Sequence, residues 1–369
     1  MNSTSHINNT NTNVGIFSFF AGCGLLDLGF ESEGFESLFV NEFFAPFMDG
    51  YKHSRRAMGL KQPTYGYNLG SIEEVKGEEL VNIIDAEHKK NKLVGFIGGP
   101  PCPDFSVAGK NKGQHGVNGR LSQSYVDLIC ENKPDFFLFE NVKGLWRTKK
   151  HRQFYDEMKI KLAKHGYHFH EKLINSIEYG AAQDRFRIIL IGFKNDSFRK
   201  GNFSWEGLLY PGDTAFSFSW PSKENFEIDS VVEAPNNIPY DLTVESWFVK
   251  NDVINHPNSK HCFTPRAGLK RFMEIQEGDD SKKSYKRLHR YRYSPTAAYG
   301  NNEVHLHPYK ARRLTVSEAL AIQSAPINFE LPDTMTLSAM FKTVGNAVPF
   351  LAAKGIAASI KRYIEENAY

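Results

Sequence analysis

Cysteine is scarce and unclustered in this chain: Cys23, Cys102, Cys130 and Cys262 are the only four in 369 residues. With no C-x-x-C pair among them, a zinc module or a disulfide framework is excluded, no resident metal is expected, and a reducing, cytoplasmic setting fits best. Apolar runs are short as well, none approaching the ~20 residues of a membrane span, so no membrane partner is expected. Residues 1–13 are polar and rich in Asn, Ser and Thr, with neither an apolar signal core nor a basic leader. They read as a disordered tail. Net charge is also small: 45 Lys and Arg against 42 Asp and Glu leave +3, too little to announce a nucleic-acid partner. No internal repeat is apparent.

What is present is a globular composition, 41% hydrophobic and 24% charged, long enough to bury a full-sized core and to split into two lobes. The charge is unevenly spread. Between Lys260 and Arg313 there are 13 Lys or Arg against 5 Asp or Glu, offset by acidic residues elsewhere. The densest tract, Lys282 to Tyr293, interleaves tyrosines with cations around Lys286 and Arg287. A phosphate-binding surface has that character, and so does an ordinary solvated face.

From Val14 to Gly192 short apolar runs alternate with helical stretches, the signature of βα units building a parallel sheet. Strands are expected at Val14 to Phe20, Leu38 to Val40, Leu93 to Ile97, Phe136 to Phe139 and Ile188 to Ile191. Helical spacing marks Val126 to Asn132 and Phe154 to His165, the second stopped at Gly166. Residues 196–305 lose this regularity and read as a second lobe. Helices return at Thr315 to Gln323 and Phe350 to Glu366.

Two loops carry chemistry. After the run Leu93 to Ile97, the segment Gly98-Gly99-Pro100-Pro101-Cys102-Pro103-Asp104-Phe105-Ser106 frames one cysteine with residues that turn sharply and stiffen the backbone. Structural cysteines normally sit inside apolar periodic segments, so this loop is built to present Cys102. The first strand leads into Phe20-Ala21-Gly22-Cys23-Gly24, a glycine turn entering a helix, where a nucleotide-type ligand can approach the backbone. It is not a G-x-G-x-x-G fingerprint, because the third glycine falls at Gly29. About 20 residues on, Glu42 and Phe43 end the second strand, placing a carboxylate for ribose hydroxyls beside an aromatic for an adenine face.

Further landmarks follow in order: Glu140-Asn141-Val142, Gln183-Asp184-Arg185-Phe186-Arg187, Arg313-Leu314-Thr315 with Glu318, and Val344-Gly345-Asn346-Ala347-Val348-Pro349. Strand geometry would put Gln183, Arg185 and Arg187 on one face and Phe186 and Ile188 on the other. With the two loops, this ordered set resembles the cytosine-C5 DNA methyltransferases of the bacterial restriction-modification type, along nearly the whole chain. The resemblance implies an α/β fold: a doubly wound, Rossmann-like domain binding S-adenosyl-L-methionine (AdoMet), from residues 14–195 and 335–369. A smaller, irregular target-recognition domain would cover residues 196–334, with double-stranded DNA in the cleft between.

The resemblance also assigns roles. Cys102, Glu140, Arg185 and Arg187 would be catalytic. Phe20, Gly22, Gly24, Glu42, Phe43, Ser71, Ile72, Pro100, Leu121, Asn346 and Val348 would bind the cofactor. Pro101, Ser106, Gln183, Lys286 and Arg287 would contact the substrate, with Arg185 holding either the thiol loop or a phosphate. Ser18 stands where an Asp is common, Leu25 replaces a frequent Gly, Pro103 a frequent Gln, and Ser71 an Asp that contacts the adenine amine. The expected enzyme is a monomer, with a cognate restriction endonuclease as a possible partner at the same site. Two alternatives are an RNA cytosine-C5 methyltransferase and a non-catalytic DNA-binding module. The long region between Arg187 and Arg313 favours sequence-specific DNA over the first, and the intact Cys102, Glu140, Arg185 and Arg187 argue against the second.

Overall fold

The computed structural model describes residues 13–101, 117–265, 268–282, 284–297, 299 and 304–369. Cys102 and Ser106 lie outside the described residues. Seven strands form one sheet: β1 (Val14–Phe19), β2 (Glu36–Asn41), β3 (Tyr67–Asn68), β4 (Leu93–Gly98), β5 (Phe136–Val142), β6 (Tyr167–Asn175) and β7 (Phe186–Lys194), in the order β3-β2-β1-β4-β5-β7-β6. The first five are parallel, whereas β7 runs antiparallel to both β5 and β6. The expected parallel sheet is therefore mixed at one edge, because β6 and β7 form a hairpin-like pair in place of a crossover.

Helices α1 (Leu25–Ser32), α2 (Ala45–Ala57), α3 (Gly77–His88), α4 (Val117–Asn132), α5 (Lys143–Arg147) and α6 (Lys149–Lys164) connect the strands. Gly166 stops α6 as expected, with a φ of 90° that favours glycine. Successive strand residues feed opposite cores. Phe17, Phe19, Phe96, Phe137, Phe139, Ile188 and Leu190 pack with α3, α4 and α6, while Ile16, Ile97, Phe136, Leu138, Ile189 and Ile191 face the other side. That alternation, buried on both faces, is why these strands read as near-continuous apolar runs.

After the sheet come α7 (Val244–Lys250), α8 (Leu269–Glu274) and a two-residue parallel ladder, β8 (Lys286–Arg287) with β9 (His305–Leu306). The C-terminal part brings α9 (Val316–Ile322), α10 (Leu337–Asn346) and α11 (Phe350–Asn367). Residues 337–367 are apolar enough to resemble a membrane span, but they form two helices separated at Ala347 to Pro349 and lie largely within the fold. Helix α11 closes the second face of the sheet and crosses α1 closely: a Cβ at Gly29 would fall 2.5 Å from Ala353 Cβ. Helix α9 joins two hydrophobic clusters, Leu320 packing with Cys23, Leu25 and Leu28, and Ile322 with Trp247 and Leu288. Its start explains the Thr315 and Glu318 landmark. The Thr315 hydroxyl accepts from the Glu318 N–H, and the Glu318 carboxylate accepts from the Thr315 N–H, a capping box.

Candidate active site

Three residues in the turn after β1 have left-handed backbones: Phe20 at φ 55°, Gly22 at 59° and Gly24 at 91°. For Phe20 this costs about 1–2 kcal/mol and requires surroundings that enforce it. The turn is closed by the Gly24 N–H donating to Ala21 O at 3.0 Å. Glu42 is locked to it, one carboxylate oxygen accepting from the Gly22 N–H at 2.9 Å and the other from the Phe44 N–H at 2.8 Å. Burial pushes the Glu42 carboxyl above its ordinary range despite these donors and nearby Lys342. Phe43, beside it, is 70% exposed. An added Cβ at Gly22 would meet nothing closer than Thr343 Oγ1 of α10, at 3.7 Å. The turn, Glu42 and Thr343 of α10 are therefore neighbours.

Other residues expected around the turn are placed unevenly. Asn41 donates to Asn68 Oδ1 at 2.8 Å and to Gly70 O at 2.9 Å, holding the following segment next to β2. There Ser71 caps a short 3₁₀ turn by accepting from the Glu73 N–H at 3.3 Å, while Ile72 is buried in the core. Asn346, at the end of α10, is exposed, Val348 is buried, and Leu121 is half-buried against the core.

A second cluster forms where β4 and β5 end. Glu140 is buried, and the Arg187 Nε lies 2.8 Å from its Oε1. Burial raises the Glu140 pKa even though Arg187 and Arg185 pull it down. The desolvation cost outweighs the ion pair. A Cβ on Gly99 would sit 2.6 Å from Glu140 Oε2. Only glycine lets the loop that continues through Pro100 and half-buried Pro101 to Cys102 pass this close to the acid.

Arg185 departs from one expected role. It is fully buried, donating to Ala297 O at 3.0 Å and Gly345 O at 2.9 Å, so a DNA phosphate cannot reach it. Gln183 is equally buried: its amide donates to Ile322 O and Gln323 Oε1 and accepts from the Ala297 N–H, so it ties the segment before β7 to the end of α9 and to Ala297 and is not a substrate contact. Arg287 also reverses its expectation. It is 0% exposed and donates to Ile275 O at 2.8 Å, His307 O at 2.5 Å, Lys310 O at 3.1 Å and Phe272 O. Its guanidinium satisfies backbone carbonyls that a strand ladder would otherwise pair. Within that tract Arg290 is buried too, bound to Glu277, whereas Lys282 is exposed and Lys286 half-buried.

Asp27, which sequence reasoning passed over, is buried beneath the turn. It accepts from Ser18 Oγ at 2.7 Å and from the Tyr51 hydroxyl at 2.8 Å. The available signal was a lone carboxylate within the apolar run Leu25 to Phe30.

A family model described as C-5 cytosine-specific DNA methylase matches residues 14–362. The chain belongs to that family. A Type II methyltransferase of Neisseria meningitidis serogroup C, M.NmeDI, is 58% identical over 359 residues, covering 95% of this chain and 84% of that relative. M.NgoPII of Neisseria gonorrhoeae, also a Type II methyltransferase, is 30% identical over 95% of this chain and 96% of its own. Among solved structures, a prophage-encoded DNA modification methyltransferase of E. coli aligns with a TM-score of 0.67 at 20% identity, over 96% of this chain and 100% of that one. The Dnmt2 methyltransferase of S. pombe shares the fold at a TM-score of 0.60 and 12% identity, over 95% of this chain and 98% of that one. The α/β fold is thus that of the AdoMet-dependent methyltransferases, and the protein is a DNA cytosine-C5 methyltransferase with DNA as its substrate. Family membership implies AdoMet as methyl donor. Gly22, the Glu42 carboxylate, the exposed Phe43 ring and Thr343 of α10 are the groups that would hold such a nucleoside.

Proposed function

We propose that the enzyme methylates C5 of a cytosine extruded from a specific duplex sequence, through a covalent bond between Cys102 and C6, as the modification partner of a restriction endonuclease. The observation that carries this reading is the buried Glu140, paired with Arg187 and packed against Gly99, three residues before Cys102. Cytosine C5 is too electron-poor to attack a methyl donor directly. Addition of the Cys102 thiolate to C6, with Glu140 giving its proton to N3, moves the electron pair to C5 and makes it enamine-like. AdoMet, when bound by the Phe20–Gly24 turn, Glu42 and Phe43, supplies the methyl group as an electrophile. C5 takes that methyl group, leaving the donor as a neutral thioether. The C5 proton then leaves to solvent or a base, and the Cys102–C6 bond breaks with its electron pair returning to the thiolate. N3 gives its proton back to Glu140, releasing 5-methylcytosine.

Arg187 orients Glu140 and can reach O2 of the base, whereas Arg185 is a positioning residue that joins the segments of Ala297 and Gly345 behind it. Extrusion of the base costs a few kcal/mol, drawn from contacts of the second lobe with the duplex. The protein acts as a monomer in the cytoplasm. Sequencing 5-methylcytosine in DNA from cells expressing the protein tests the proposal: methylation confined to one short motif is expected, with that DNA resistant to an endonuclease of the same specificity. Unmodified DNA, or methylation restricted to RNA, would overturn it.

A further inference from the structure

The left-handed turn after β1 has one closing bond of its own, from the Gly24 N–H to Ala21 O. Phe20, Gly22 and Gly24 all have positive φ, and strained backbone persists only where its surroundings over-determine it. Beneath it, Asp27 in the first turn of α1 accepts from Ser18 Oγ on β1 at 2.7 Å and from the Tyr51 hydroxyl on α2 at 2.8 Å. All three side chains are buried. One carboxylate thus binds the strand that enters the turn, the helix that leaves it, and the helix that follows Glu42 and Phe43. Tyr51 has a second contact with the same unit, since a Cβ on Gly24 would fall 2.7 Å from its ring. The latch reaches Glu42 through one further bond, the Gly22 N–H to Glu42 Oε2 at 2.9 Å.

We infer that Asp27 is a positioning residue for methyl-donor binding, acting through Ser18 and Tyr51 to hold the turn and Glu42 in register. The inference rests on the assignment of the Phe20–Gly24 turn and Glu42 to AdoMet. Replacing the carboxylate with an apolar core would leave Ser18 and Tyr51 as buried, unpaired hydroxyls and free the turn to relax. Moving the carboxylate to the strand side of the same hydrogen bond, as in S18D/D27S, keeps a carboxylate and a hydroxyl facing each other between β1 and α1.

Titration calorimetry of the full chain with AdoMet, together with KM values for AdoMet and for DNA, tests this. Tyr51→Phe keeps the ring on Gly24 and removes only the donor, so AdoMet binding should weaken about tenfold, as should that of Ser18→Ala. Asp27→Ser should weaken it about a hundredfold, and S18D/D27S should return to within about threefold of the original protein. KM for DNA should stay unchanged throughout. Original affinity in Tyr51→Phe and Ser18→Ala, a swap no better than Asp27→Ser, or a parallel rise of both KM values would overturn the inference. Should Asp27→Ser not fold, Tyr51→Phe and the swap decide it. An original protein that binds no AdoMet would overturn the cofactor assignment itself, an outcome distinct from unchanged variants.

Discussion

An added methyl group at Gly99 would fall 2.6 Å from Glu140 Oε2, so this glycine sets the distance between the acid and the cysteine loop. Gly99→Ala should therefore displace Glu140 and lower turnover while leaving the KM for AdoMet unchanged. Glu140→Gln should cut methyl incorporation by about 10²–10⁴-fold and leave DNA binding intact, because the amide has no proton to give N3. Near-original turnover in either variant, measured with labelled methyl donor, would contradict the acid role. Burial raises the Asp27 pKa from 3.8 to about 7, overcoming its two hydrogen bonds. Because the folded-state value lies above the unfolded one, the proton's contribution to stability is full below pH ~4 and is lost as pH rises through ~7. Relative to Asp27→Asn, which cannot titrate, the original protein should lose about 4 kcal/mol of unfolding free energy across that window. Parallel urea-unfolding curves at each pH would check it, and a constant difference would contradict it. Retaining a carboxyl that costs stability is consistent with a role in binding.

At the scale of elements, a buried cation pairs carbonyls that a strand ladder would otherwise pair. Arg287 bridges four backbone carbonyls contributed by the segments around Phe272, Ile275, His307 and Lys310. Arg287→Met should cost at least about 3 kcal/mol, since several buried acceptors lose their donor together. Its loss should leave the salt dependence of DNA binding unaltered. Among the described residues of this tract, exposed Lys282 and half-buried Lys286 and Arg292 are the phosphate candidates that remain. Replacing Lys282 and Lys286 with alanine should weaken binding to all sequences and reduce the slope of log K against log salt by about 1 for each phosphate no longer neutralised. A shallower slope for Arg287→Met, at equal folding, would contradict the structural assignment. The sheet makes a related point. Strand periodicity located β5 and β7 but carries no direction, so the antiparallel pairing of β5 with β7 had no counterpart in the sequence.

At the scale of the whole molecule, the sequence was legible where backbone chemistry is local. The glycine turn and the helix stop at Gly166 fall where residue type predicts them. Glu140 and Arg187, far apart in sequence, were legible only as ordered landmarks, and the fold brings them to 2.8 Å. Illegible were the features set by burial. The tract from Lys282 to Tyr293 shows charge but not which cations face solvent, and Asp27 looks like any other acid until Ser18 and Tyr51 close on it. Burial likewise makes Gln183, expected as a substrate contact, and Arg185, expected to hold the thiol loop or a phosphate, ties between Ala297, Gln323 and Gly345.

The central claim is that Cys102 forms a bond to C6 of cytosine. Duplex fragments synthesised with 5-fluorocytosine throughout contain every candidate site, and fluorine at C5 blocks the elimination that would release the enzyme. Incubated with these fragments and AdoMet, the protein should form a complex that survives denaturing electrophoresis, with the adduct mapped by mass spectrometry to Cys102 and absent in Cys102→Ala. Equal trapping of Cys102→Ala, or no trapping from a preparation that methylates ordinary DNA, would contradict the account.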